Sequence, residues 1–309
     1  MKLFFLCFLS GSLMLMGQQS VDIPPYYGVD TSLSQKLNDI VTSMELDGDF
    51  DVGEDGVEQI SLGVIQLRDG TPKIGGVNME NFIYPASVYK MYVAAEVLRQ
   101  ISEKEYSLDS LYVVQYPNIV DTVKEILSDP RPLLKEGDTV TVNYLLDLMI
   151  TRSDNTASNC LIDLAQRENI NALMHRYGWH GSEVTRKFLS RSLEDPNYKE
   201  VRGTETSALH AADFLYRIEA DLMVNPWVSQ QMKVLLGGQL DKTKLPQGLP
   251  HTAMYYHKTG WWSTWTHDVG IVRDGEAHYI IACFLPLEEE AARPKFKELA
   301  QRVDALLRQ

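Results

Sequence analysis

Three short clusters in this 309-residue chain carry side chains that do chemistry. Ser87 stands three positions before Lys90, Ser153 is followed by Asp154 and Asn155, and Lys258 is followed by Thr259 and Gly260. A serine hydroxyl is a weak nucleophile until a neighbour takes its proton, and a lysine in a crowded, partly dry site can give up its own proton and become that neighbour. Ser153 could pass a proton to a leaving group. Asn155 both donates and accepts, so it could bind a substrate amide. Lys258 beside Thr259 suits a carboxylate-bearing ligand, and Gly260 lets a backbone approach closely. Each cluster alone has an ordinary reading: a capping serine with a solvated lysine, a helix cap, and an edge-strand lysine that discourages aggregation. Together, in this order, they describe acyl transfer through a covalent serine intermediate.

The elements that must hold these residues can be read from periodicity. Tyr84-Pro85-Ala86-Ser87 leads into the apolar run 91–98, so a helix is expected from about Ser87 to Gln100. Ser87 then lies in its first turn, where free N–H groups favour developing negative charge, and Lys90 shares its face. Apolar helix positions run up to Ile150, the polar Ser153-Asp154-Asn155 interrupts them, and a second helical run follows. Leu33, Leu37, Ile40, Val41 and Met44 mark a helix over 31–44, and 288–307 a closing one. Segments 59–67, 254–258, 268–273 and 280–285 read as strands, with Asp274-Gly275 as a hairpin turn. Strands thus stand at both ends and helices fill the middle. The expected fold is α+β in two layers: an antiparallel sheet flanked by terminal helices, with an inserted all-α region and a cleft between the two. The sheet part spans about 31–84 and 250–309, the helical part about 85–249.

Composition narrows the partners. A net charge of −13 without a basic run argues against nucleic-acid and anionic-membrane binding. No metal-ligand spacing or glycine-rich phosphate loop stands out, so no cofactor and no metal are implied. Met1-Lys2, the apolar run 3–16 and Gly17 read as a signal peptide over 1–17, too short to span a bilayer comfortably. Cleavage near Gly17 and export, most simply to a bacterial periplasm, are expected, with 18–30 as a linker, no remaining membrane span and a monomer. Cys160 and Cys283 fall in a helical and a strand pattern and are read as buried free thiols.

With Ser-x-x-Lys, Ser-Asp-Asn and Lys-Thr-Gly in order, the chain resembles the class A β-lactamases and their penicillin-binding relatives over about 31–309. The resemblance is tightest from Glu136 to Val142 and on into Ser153–Asn159. It implies Ser87 as the acylated nucleophile, Lys90 as its proton partner and Ser153 as proton shuttle to the β-lactam nitrogen. Asn155 would bind the acyl side-chain amide, Lys258 and Thr259 the substrate carboxylate, and the N–H groups of Ser87 and Trp261 would form the oxyanion hole. A β-lactam or an acyl-peptide would be the small-molecule substrate.

The pattern also breaks. Counting from Val184-Thr185-Arg186, the family's deacylating glutamate falls near Arg191, and the nearest acids are Glu194 and Asp195. Glu194 is preferred for its reach. His267 falls where the family often has a carboxylate-binding arginine; it could serve when protonated, or be a surface residue. Tyr116-Pro117 resembles the lip of the cleft, the stretch 121–135 is longer than usual, and Trp261, Trp262 and Trp265 crowd the other side. The displaced loop acid and the tryptophan-rich mouth leave room for a peptidase or esterase, or for a protein that acylates and stalls.

Overall fold

The structure is a computed structural model and describes residues 23–50, 58–68, 70–193 and 203–308. The signal-peptide stretch, Glu194 and Asp195 lie outside the described residues. Strand β1 (Gly28–Val29) and helix α1 (Thr31–Ser43) open the chain, followed by β2 (Ser61–Gln66), β3 (Lys73–Val77) and the short β4 (Phe82–Ile83). A 3-10 turn, Ala86–Tyr89, leads into α2 (Lys90–Ser102). After β5 (Leu111–Val113) and β6 (Thr139–Thr141) come α3 (Val142–Thr151), α4 (Asn155–Ala165) and α5 (Arg167–Arg176). The chain continues with β7 (Thr206–Ser207), α6 (Ala208–Glu219) and α7 (Pro226–Gly237). It ends with β8 (Met254–Trp262), β9 (Trp265–Arg273), β10 (His278–Leu285) and α8 (Glu289–Leu307).

The main sheet has the order β1-β3-β2-β10-β9-β8, antiparallel throughout except for β1 beside β3. It matches the expected α+β plan, with helices on both faces. Strand β10 shows why. Tyr279, Ile281, Cys283 and Leu285 pack with Leu37, Val41, Phe296 and Val303 of α1 and α8, while Ile280, Ala282 and Phe284 join the core under the helices. A strand covered on both faces reads as a continuous apolar run rather than an alternation. Helix α2 is buried on every side from Lys90 to Leu98, where the carboxylate of Glu96 is paired with Arg99.

Three readings change. Strand β3, Lys-Ile-Gly-Gly-Val, was not anticipated, because its two glycines hide the strand pattern. They stand there because α1 packs closely: a Cβ on Gly75 would lie 2.9 Å from Leu33 Cγ. Strands β8 and β9 are longer than the sequence suggested and meet in a tight turn at Trp262–Trp265. Residues 24–30, read as a linker, are tied to the body: β1 pairs with β3, and the hydroxyls of Tyr26 and Tyr27 both donate to Asp213. Cys160 and Cys283 are free and buried. Among the described residues no helix is long and apolar enough to cross a membrane.

Candidate active site

Ser87 sits on a strained turn. Ser87 is 7% exposed and lies in the 3-10 turn rather than in the first turn of α2. Ala86 before it has φ of 44°, in the left-handed region that a residue with a Cβ rarely adopts. The turn is braced from behind: the N–H of Val88 donates to Pro85 O (3.0 Å), and His267 Nε2 donates to Tyr84 O (2.8 Å). That contact corrects the reading of His267. It is fully buried, not a surface residue, and burial pushes its pKa down to about 3, so it stays neutral and offers no charge to a substrate carboxylate.

The second cluster forms where α3 gives way to α4. Ser153 has φ of 61°, at a helix-ending position where glycine is usual. Asp154 caps α4 by accepting from the N–H of Ala157 (2.8 Å). This geometry turns Ser153 and Asn155 toward Lys90. Lys90 Nζ donates to Ser153 O (2.6 Å), Ser153 Oγ (3.2 Å) and Asn155 Oδ1 (2.7 Å). From the sheet side, Lys258 Nζ donates to Ser153 Oγ (3.1 Å) and to Thr259 O (2.7 Å). The Ser153 hydroxyl therefore lies between two lysine amines.

Both amines are fully buried. Burial lowers the pKa of Lys90 to about 8, against the opposing charges of Glu125, Asp121 and Asp154. Lys90 therefore gives up its proton more readily than an exposed lysine. Burial lowers the pKa of Lys258 as well, and the charge of Lys90 lowers it further. The ring of Phe188 lies 4.2 Å from Lys90 Nζ and stacks on Tyr89. Asn159 holds the Phe188 backbone, accepting its N–H at 2.7 Å.

Gly260 closes the site. A Cβ there would fall 2.8 Å from Pro85 O, 2.9 Å from Ser87 N and 3.0 Å from Val88 N. Only glycine lets β8 run against the Ser87 turn, which brings Trp261 next to it. Thr259 is buried; Trp261 is 41% exposed and Trp262 63%, at the tip of the β8–β9 hairpin. Trp265 belongs to the core instead.

The long segment between Tyr116 and Lys135 is docked, not loose. Asp121 Oδ2 accepts from the N–H groups of Asn155 and Thr156, both at 2.8 Å, and its Oδ1 accepts from Asn155 Nδ2 (3.1 Å). Thr156 Oγ1 accepts in return from the N–H groups of Val120 (3.1 Å) and Asp121 (3.3 Å). Buried Arg152 binds Asp129 (3.1 Å), Asp154 (2.6 Å) and the carbonyls of Arg131 and Pro132. Sequence reading took Asp121 only as the start of an insertion. No spacing rule links it to Asn155; the one available signal was an acid in a segment flanking the second cluster.

Ser87, Lys90, Ser153, Asn155, Lys258, Thr259 and Gly260 thus converge between the sheet and the helices. This fold and this cluster define a serine hydrolase of the β-lactamase class. The chain belongs to the β-lactamase enzyme family, whose model matches residues 35–306. Its fold is similar to that of PBP-A (TM-score 0.72, 18% identity, covering 92% of this chain and 98% of that one). It is similar also to a β-lactamase from Sphaerobacter thermophilus (0.73, 19%, 88% and 97%) and to an ancestral class A β-lactamase (0.70, 20%, 89% and 99%). No curated protein sequence matches it.

Proposed function

We propose that this protein is exported and opens β-lactam rings through an acyl-enzyme on Ser87. The observation that carries the reading is the Ser153 hydroxyl between Lys90 Nζ and Lys258 Nζ, at 3.2 and 3.1 Å. Lys90, once neutral, takes the proton of Ser87 Oγ as Oγ bonds to the lactam carbonyl carbon. The oxyanion is received by the N–H groups of Ser87 and Trp261, a kind of contact worth roughly 100- to 1000-fold in rate. As the C–N bond breaks, Ser153 hands its proton to the lactam nitrogen and is resupplied by the lysine beside it. Lys258 and Thr259 hold the substrate carboxylate, and Asn155 the acyl amide. Water then frees Ser87, with Glu194 as the base that activates it.

A second reading is supported by Arg191 standing where the family's deacylating acid is expected: an enzyme that acylates and releases slowly, or one that acts on acyl-peptides or esters. Time-resolved intact mass with benzylpenicillin separates them. The proposal expects a Ser87 adduct that forms and clears, no adduct in Ser87→Ala, and a trapped adduct in Glu194→Gln more than in Asp195→Asn. A wild-type protein that never gains the penicillin mass would sink the acylation. An adduct that persists for hours would favour the slow-release reading, and equal clearance in wild type and both acid variants would remove these acids from deacylation.

A further inference from the structure

On the face of β8 opposite Lys258 lies a second set of proton-handling groups that β-lactam hydrolysis leaves unused. His257 Nδ1 lies 2.9 Å from Asp268 Oδ1, and both side chains are fully buried. The Asp268 carboxylate is fixed by two further donors, the hydroxyl of Tyr255 (3.2 Å) and the N–H of Leu245 (3.0 Å). The ring of Tyr255 stacks on that of His257 at 4.3 Å, which sets the imidazole plane. Burial lowers the histidine pKa, so the ring is neutral. A carboxylate only accepts, so Nδ1 carries the hydrogen and Nε2 presents its lone pair outward. That lone pair meets Nζ of Lys242 at 3.1 Å.

Lys242 lies on the exposed segment after α7. Its neighbour Asp241 is occupied by Lys244 Nζ (2.5 Å) and by the hydroxyl and N–H of Thr243. No carboxylate among the described residues forms an ion pair with Lys242. Carboxylate, imidazole and amine are thus joined in line, with the nucleophile at the solvent end. This is the arrangement that activates a serine in a catalytic triad, with an amine in its place. Partial burial of Lys242 lowers its affinity for the proton, against the opposing charges of Asp268 and Asp241.

We infer that Lys242 is an acyl-accepting site, which takes an acyl group from an activated carbonyl compound such as a strained lactam or an aryl ester. The Lys242 ammonium first releases one proton to solvent; the amine nitrogen then bonds to the carbonyl carbon and gives a second proton to His257 Nε2. The bond from that carbon to the leaving nitrogen or oxygen then breaks, and the leaving atom receives the proton from His257. The product is an amide, which does not turn over, so each chain is modified once and loses one positive charge.

The test uses the full chain with Ser87→Ala, so that the cleft nucleophile is silent. The protein is treated separately with p-nitrophenyl acetate and benzylpenicillin, digested and mapped by mass. Lys242 should be acylated about a hundredfold or more faster than the exposed Lys36 and Lys73, the low end of what general-base assistance supplies. His257→Gln should return Lys242 to the rate of those two lysines, while Lys242→Arg in the otherwise native protein leaves β-lactam turnover unchanged. Labelling of Lys242 at the rate of Lys36 and Lys73 overturns the inference, as does full reactivity in folded His257→Gln. Should that variant not fold, the comparison among the three lysines in one digest decides alone, and it does so whether or not Ser87 turns over β-lactams.

Discussion

Replacing Asp121 with asparagine tests whether the docked segment takes part in the chemistry. The substitution keeps size and removes charge. An asparagine can keep its oxygen toward the N–H groups of Asn155 and Thr156, each 2.8 Å from Asp121 Oδ2. Its amide then faces Asn155 Nδ2, now 3.1 Å from Oδ1, donor against donor. Asn155 must turn, and its Oδ1 turns away from Lys90 Nζ, to which it is bonded at 2.7 Å. A hydrogen bond to a charged group contributes about 1.5–3 kcal/mol. Losing one at the reacting centre slows acylation roughly ten- to a hundredfold. A second effect has the opposite sign. The charges facing Lys90 are Glu125 and Asp121 from the docked segment, Asp154 from the α3–α4 junction and Lys258 from β8. Asp121 helps Lys90 keep its proton, so without it the amine becomes neutral at lower pH. The maximal rate should therefore fall while its rise with pH begins earlier. Single-turnover acylation by a chromogenic cephalosporin, followed from well below to well above about pH 8, measures both. Asp121→Asn that melts like wild type and acylates at the full rate with an unshifted profile would refute the argument.

Other outcomes follow from the same geometry. The unfolded chain holds the Lys90 proton up to about pH 10.5 and the folded chain only to about 8, so this group penalises folding fully below the lower value and less as pH rises between them; urea midpoints of wild type should climb relative to Lys90→Met across that window, and parallel curves would contradict the buried, depressed amine. Gly260→Ala should cut acylation by about 100-fold or more while the protein stays folded, because its Cβ would fall within 3.0 Å of Ser87 N and Val88 N and displace an oxyanion donor; near-native acylation would show that the turn can yield. Arg152→Met should destabilise by about 3–5 kcal/mol in chemical denaturation, since it leaves the buried Asp154 without a cation while Asp129 keeps only Arg131; a loss under 1 kcal/mol would mean that water replaces the arginine.

What was legible in the sequence was local. The helix carrying Lys90 follows from its apolar run, and the strands β8, β9 and β10 from theirs. The three clusters were readable because proton transfer needs particular residue types. Their convergence was not derivable from spacing alone: Lys258 meets Ser153 only because β8 is the edge strand of a sheet assembled from both chain ends. His267 was misread for the same reason. Its position in β9 sets it behind the nucleophile's turn, and burial then removes the charge that made it attractive as a carboxylate ligand. Asp121 was invisible as a functional group because its partners lie in another element, and nothing in its own neighbourhood announces them.

The left-handed backbone at Ala86 and Ser153 has an evolutionary consequence. Each such residue costs on the order of 1–3 kcal/mol, and the two stand at or beside the Ser87 and Ser153 hydroxyls of the candidate site. They are two of nine left-handed non-glycine residues among the described residues. Random change can find greater robustness cheaply here, by setting glycine at either position, and each such gain loosens or removes a reacting group. Selection for heat tolerance without selection for turnover would erode these turns early. A lineage that keeps them must offset that cost elsewhere, and the packing of β10, covered on both faces, is a place where it can.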